Sequence, residues 1–169
     1  WLPNETIQLI KNSKDEFERG KDFYIINYDL IWRMEEKIKD LRISTTILDE
    51  VTAIKESKAK RSKAAKKIGK KSTYVLGLSG TPILNRPIEF FNFLNLIKPD
   101  LFTNYFKFGL RYGNPKSIRL KGGRRVWSFP GATNLQELRN LLKPLLIRRN
   151  KQQVLTELPD KRREMLYVD

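Results

Sequence analysis

The apolar positions fall into dense blocks that alternate with spaced, helical stripes. "DFYIINYDLIW" (22–32) packs aromatic and β-branched residues together, which predicts a buried strand running into a turn or helix. "RMEEKIKDL" (33–41) instead spaces Met34, Ile38 and Leu41 along one helical face. "STTILDE" (44–50) is a second strand block, and "ESKAKRSKAAKKIGKK" (56–71) reads as a helix with a thin apolar side of Ala59, Ala64, Ala65 and Ile68. "TYVLGLSG" (73–80) predicts a third strand closed by a Gly-Thr-Pro turn. "RPIEFFNFLNLIKPD" (86–100) then predicts an amphipathic helix, with Pro87 in its first turn and Pro99 ending it. Strand and helix alternating in this way argue for parallel βαβ units.

The remainder has another character. Residues 101–134 mix aromatics, Arg/Lys and Gly-rich turns, and read as helical at first, then as a loop or small hairpin around Gly122-Gly123. Leu135, Leu138, Leu141 and Leu142 supply the apolar face of a later helix. No internal repeat is visible.

Composition narrows the chemistry. The 169 residues carry 34 Lys+Arg against 19 Asp+Glu, a formal net charge of +15, which favours a polyanionic partner, with nucleic acid ahead of an anionic membrane. There is no cysteine and no histidine, so disulfides, Cys/His zinc sites, thiol nucleophiles and imidazole acid–base chemistry are all excluded. Catalysis would rest on carboxylates, hydroxyls, lysine, arginine or a metal held by oxygen. No apolar run approaches the roughly 20 residues of a membrane-crossing helix, and "WLPNETIQLI" is not a signal peptide. An intracellular setting is the default expectation. The chain opens without Met and ends in the strand-like "REMLYVD", so it reads as part of something longer.

Four constellations could carry function. Asp49 and Glu50 follow a strand, where α/β sheets place ligands. In nucleotide hydrolases one such acid holds magnesium and the other polarises the attacking water, although Asp-Glu also ends strands in ordinary proteins. Second, Ser79, Gly80 and Thr81 in "LSGTP" could hydrogen-bond that pair, or could simply lead into a capped helix. Third, the lysine run 55–71 is either a solvated helix face or a phosphate-binding surface. Last, Arg148 and Arg149 in "LLIRRNKQQV" either pair locally or reach a phosphate from a neighbouring lobe.

Taken in order, these pieces resemble the SWI/SNF-type branch of the superfamily 2 helicase-like ATPases, and most of all its annealing-helicase subgroup. "ILDEVTAIKESKAKRSKAA" is similar to motif II and "VLGLSGTPILNRPIEFFNFLNLIKPDLF" to motif III. "FGLRY" (108–112) looks like a stretch of the annealing-helicase subgroup, and "LLIRRNKQQVLTELPDK" like the segment that leaves the first motor lobe. "FYIINYDLIW" resembles the strand before motif II, whose Asn27-Tyr28-Asp29 end lies near DNA in relatives.

The resemblance implies an α/β fold, a partial RecA-like parallel sheet flanked by helices, with a mainly helical insertion in the C-terminal half. Residues 1–100 would be the partial first lobe, 101–144 the insertion and 145–169 the exit segment towards a second RecA-like lobe. It implies Asp49 and Glu50 as catalytic acids, Asp49 holding Mg2+ through water with ATP. Thr52, Ser79, Gly80 and Thr81 would couple that site to motif III, and Asn27, Tyr28, Lys55, Lys58 and Arg61 would face nucleic acid. The implied activity is ATP-driven movement on duplex or branched DNA, in remodelling or strand annealing, in the nucleus of a eukaryote or the cytoplasm of a bacterium. No membrane is expected.

Two departures qualify this. No Gly-x-x-x-x-Gly-Lys-Ser/Thr loop occurs in the sequence, so the isolated chain is expected not to hydrolyse ATP. Val51-Thr52 replaces the family's small residue and histidine, and threonine can hydrogen-bond but carries no charge. The competing expectation is a non-catalytic, basic nucleic-acid-binding module. A metal nuclease built on Glu56 and Lys58 ranks below both, because those residues fall on a predicted helix.

Overall fold

The computed structural model describes residues 4–80 and 83–149, leaving out the side chain of Leu84. By internal contacts the chain divides into two compact units, Trp1–Leu135 and Gln136–Asp169. In the first unit, strand β1 (Ile7–Ile10) pairs in parallel with β2 (Phe23–Ile26), and β3 (Thr45–Leu48) pairs in parallel with β4 (Tyr74–Gly77). Between the two pairs lie the short helices α1 (Tyr28–Ile31) and α2 (Glu35–Ile38). The β3–β4 crossover is α3 (Lys60–Lys71), and α4 (Phe91–Ile97) follows β4. Helix α5 (Tyr105–Tyr112) leads into an antiparallel hairpin of β5 (Lys116–Arg119) and β6 (Arg125–Ser128). Helix α6 (Leu135–Leu142) begins at the boundary and continues into the second unit.

The β3–α3–β4 unit is the predicted βαβ pattern, whereas β2 pairs with β1 and not with β3, and residues 11–22 join β1 to β2 without a helix. Strand β1 is an addition that the sequence did not announce: "IQLI" alternates, but polar neighbours on both sides hide it. The predicted 86–100 helix is split into a 3-10 turn over Pro87–Phe90 and the regular α4. Proline at the start of that turn lacks the N–H that an earlier helical start would need.

The core of this unit forms where α3, α4 and the turn after β3 meet. Met34, Ile54, Ala64, Ala65, Phe90 and Leu94 are almost fully buried. Each large side chain among them contributes about 1.5–3 kcal/mol by leaving water. Helix α3 turns its small residues inward: Ser62, Ala64, Ala65 and Gly69 are buried. That lets α3 lie close against its neighbours while most of its lysines stay in solvent. Ser62 is 0% exposed, and its hydroxyl is the buried side-chain polar atom that has no hydrogen-bond partner among the described residues. An unsatisfied buried hydroxyl is destabilising. Ser62→Ala is therefore expected to raise stability by about 1 kcal/mol, read as a higher urea midpoint at unchanged slope. A lower midpoint would mean that the hydroxyl is satisfied.

Each parallel pair covers one face and leaves the other open. Ile7, Leu9, Phe23 and Ile25 lie exposed on one sheet, and Ile47, Tyr74, Leu76 and Leu78 on the other. Beyond the sheets, α5 and the hairpin share an aromatic cluster. The ring of Phe129 stands against Tyr105 and Phe106, with centroids 6.0 and 5.9 Å away. A Cβ on Gly109 would come within 2.6 Å of that ring, so the glycine of "FGLRY" is a packing requirement.

Candidate functional site

The site begins with how β3 and β4 end. Leu78 N–H donates to Leu48 C=O at 2.9 Å, and Val51 N–H donates to Leu78 C=O at 2.9 Å. The parallel ladder thus runs past both strands and sets Asp49 and Glu50 beside Ser79 and Gly80. This is the C-terminal end of parallel strands, where α/β sheets bind ligands. Thr81 lies outside the described residues.

Both carboxylates are exposed, and they are held differently. Asp49 Oδ1 accepts from the N–H of Glu50 at 2.9 Å. Glu50 has φ 45° and ψ 59°, a left-handed backbone on a residue with a side chain. That conformation costs roughly 1–2 kcal/mol relative to a right-handed one. Strain of this kind at an exposed acid points to a position that matters for more than folding.

The bend at Glu50 is imposed by the turn C-terminal to it. Val51–Ile54 is a 3-10 turn with Val51 and Ile54 buried, so the apolar side chains pull the backbone inward directly after the acids. Val51 is thus an anchor, and Thr52 sits half-buried in the same turn. Asn92, buried on α4, clamps the turn from below: its amide donates to the carbonyls of Ile54 at 2.8 Å and Lys55 at 2.7 Å. Sequence reasoning missed Asn92. Its one signal was a polar residue inside the apolar run "EFFNFL".

A second connection comes from α1. Tyr28 donates its phenolic O–H to the backbone carbonyl of Asp49 at 2.7 Å. Burial, and then the nearby charges of Asp49 and Glu50, push the phenol up to about 12. It therefore stays a neutral donor at physiological pH. Asn27 caps α1, with its side-chain oxygen accepting from Leu30 N–H at 2.9 Å.

The basic residues divide into engaged and unengaged groups. Arg61 donates from Nε to Ala53 C=O at 3.0 Å and lies 3.7 Å from Asp29. Lys55 pairs with Glu89 at 3.3 Å. Lys60 stands 4.2 Å over the Trp32 ring, Lys66 donates to Asn95, and Lys67 pairs with Glu35. Lys58, Lys63, Lys70 and Lys71 are exposed and make no side-chain hydrogen bond or ion pair among the described residues. So the lysine run is partly a structural brace and partly free charge. In the second unit Arg148 and Arg149 are exposed.

A metal at this site would have few protein ligands. Among the described residues no group of three or more His, Cys, Asp or Glu gathers as a metal cage. Magnesium bound with nucleotide needs no such cage: it takes one or two carboxylates and completes its shell with water and substrate phosphates. The all-oxygen pair of Asp49 and Glu50 fits that demand. Also among the described residues, no helix is long and apolar enough to cross a membrane.

Comparison with known proteins gives this arrangement a lineage. The chain is 40% identical over 145 residues to the SWI/SNF-related matrix-associated actin-dependent regulator of chromatin subfamily A-like protein 1 homolog of Caenorhabditis elegans, covering 85% of this chain and 20% of that protein. It is 34% identical over 172 residues to the corresponding Xenopus laevis protein, covering 99% of this chain and 17% of the relative. To the human DNA annealing helicase and endonuclease ZRANB3 it is 32% identical over 177 residues, covering 100% of this chain and 16% of that protein. The chain thus spans about a fifth or less of the curated relatives it matches. In three dimensions it is similar to the Sulfolobus solfataricus SWI2/SNF2 ATPase core in complex with dsDNA, with a TM-score of 0.67 at 25% identity, covering 88% of this chain and 29% of that one. That likeness accounts for the α/β layout as part of a RecA-like lobe. The sequence profile of the SNF2-related domain matches residues 4–169, which takes in β1, the acid pair and everything after them. By that match, and by an acid pair at the end of parallel strands, the chain belongs to the SNF2-related domain family.

Proposed function

We propose that this chain is the acid-pair portion of the first lobe of an ATP-driven motor that moves on duplex DNA. The observation that carries the proposal is the placement of Asp49 and Glu50 beside the end of β4, with Glu50 held in a strained backbone. Relatives whose names include an annealing helicase, and a similar ATPase core bound to dsDNA, support the same reading.

In this reading Asp49 would hold magnesium, through water, and Glu50 would orient the attacking water and accept a proton from it. When bound with ATP, the metal would neutralise charge on the phosphates and on the leaving group. Tyr28 and Asn92 fix the backbone on either side of the acids, so that both carboxylates keep their aim. Thr52, Ser79, Gly80 and Thr81 would sense the nucleotide through uncharged hydrogen bonds. Asn27, Tyr28, Lys55, Lys58 and Arg61 would lie on the DNA side, with Lys58 the one whose side chain makes no hydrogen bond or ion pair among the described residues. Arg148 and Arg149 would serve the junction with the second lobe. Residues 1–100, 101–144 and 145–169 would be lobe, insertion and exit segment. Such a motor works where DNA is kept, the nucleus in a eukaryotic cell.

The test uses the full-length protein, in which the proposed reading requires a phosphate-binding loop outside these 169 residues. DNA-stimulated ATP turnover is expected, with loss on chelation of magnesium. Asp49→Asn should raise the magnesium midpoint by about tenfold or more. Absence of DNA-stimulated turnover, or an unchanged midpoint, would overturn the proposal in favour of a non-catalytic basic binding module, which the free lysines of α3 would also suit.

A further inference from the structure

The β5–β6 hairpin is a concentration of charge that the ATPase reading does not use. From Gly113 to Pro130 the sequence contains Lys116, Arg119, Lys121, Arg124 and Arg125 and no acid. None of the five makes a side-chain hydrogen bond or ion pair among the described residues. Arg119 and Arg125 are direct cross-strand partners, so their side chains share one face. Like charges directly opposite each other destabilise a hairpin. A short two-stranded sheet has little stability to lose, so this pair of arginines needs a reason other than folding.

The same face carries an aromatic platform. Trp127 pairs with Ser117, two residues along from the arginine pair, which puts it roughly 7 Å away along the strand. Trp127 is 51% exposed and Phe106 of α5 is 43% exposed, and their rings meet edge to face at 6.3 Å. One side of the tryptophan is thus braced while much of its surface stays in solvent.

The platform is anchored. Phe129, just past the end of β6 and two residues beyond Trp127, is seated against Gly109 and Gly113 of the α5 segment. Gly131 N–H donates to Gly113 C=O at 3.1 Å and Thr133 N–H to Tyr112 C=O at 3.0 Å. At the other end Gly122 and Gly123 take φ of 93° and 82°, which closes the turn tightly, and Arg119 reaches back to within 3.8 Å of where a Gly123 Cβ would stand.

We propose that this hairpin is a second nucleic-acid contact, which stacks an unpaired base on Trp127 and holds the neighbouring phosphates with Arg119 and Arg125. Guanidinium groups match phosphate oxygens bidentately. An exposed aromatic beside them is of use to bases that are free to stack, which those of single strands are and those of an intact duplex are not. The partner is therefore single-stranded nucleic acid, or an unpaired stretch within a branched one.

The experiment is fluorescence anisotropy with the 169-residue chain and no nucleotide present, so it succeeds or fails independently of the ATPase reading. The probes are an oligo-dT of about 20 nucleotides and a blunt duplex of equal length. Trp127→Ala is expected to weaken single-strand binding by about tenfold or more, in line with the stacking strength of one base. Trp127→Phe should restore most of it, and duplex binding should change by less than about twofold. Arg119→Ser with Arg125→Ser should lower the salt dependence of single-strand binding by close to two phosphate contacts. These arginines are exposed and internally unpaired, so that variant keeps the test open even if Trp127→Ala fails to fold. Unchanged single-strand affinity in the arginine variant would overturn the proposal. So would equal losses on single strand and duplex, or Trp127-dependent binding to anionic vesicles without binding to oligo-dT.

Discussion

Glu50→Gln in the full-length protein is expected to cut DNA-stimulated ATP turnover by about 10²- to 10⁴-fold. The substitution keeps the shape and hydrogen-bonding reach of the side chain and removes its basicity. It also keeps a side chain on the left-handed backbone, so the bend between Asp49 and Val51 is retained and a loss of rate would report chemistry. ATP binding should survive, because the proposed reading gives magnesium to Asp49 and leaves Glu50 the attacking water alone. The measurement is steady-state turnover at saturating DNA alongside nucleotide affinity in the same variant. Full turnover would remove Glu50 from the catalytic role. A loss of ATP affinity equal to the loss of turnover would assign it to binding.

Ile54→Ala should destabilise the chain by about 2–5 kcal/mol, the range for emptying a well-packed aliphatic site. Ile54 is 1% exposed, and its carbonyl is one of the two that Asn92 clamps. Domains of this size are stable by only about 5–15 kcal/mol, so the variant could lose a large share of that margin. The turn it anchors is the one that pulls the chain inward directly after the acids. Chemical denaturation of the chain should show a lower urea midpoint with little change in slope. A loss below about 1 kcal/mol would mean that the turn is held by its hydrogen bonds and that its packing contributes little.

Much of the fold was legible because it is written in local patterns. The dense blocks around Phe23, Thr45 and Tyr74 became strands, the Ala/Lys stretch became α3, and Gly122-Gly123 became the hairpin turn. The acid pair was legible for the same reason, since a strand that ends in two carboxylates is visible in one dimension. What stayed hidden depends on partners distant in sequence. Strand β1 is defined by pairing with β2 across 16 residues of register offset, Ile7 to Phe23. Asn92 matters because it meets a turn 37 and 38 residues earlier. Gly109 is required by Phe129, and no local rule names that ring. The lysine run looked uniform, yet Lys66 and Lys67 are engaged by Asn95 and Glu35 while Lys63 and Lys70 are not, a division set by which side of α3 faces a neighbour. The expectation for Thr81 falls outside the described residues, as does the exit segment from residue 150 onward.

The left-handed backbone at position 50 bears on how this domain could be engineered. Glycine adopts that conformation without penalty, so a library screened for solubility or heat tolerance would drift towards Glu50→Gly. The better-behaved protein that came out of such a screen would have lost the residue proposed above as the proton acceptor. Any campaign to make a tractable version of this domain should therefore hold position 50 fixed and look for its gains elsewhere.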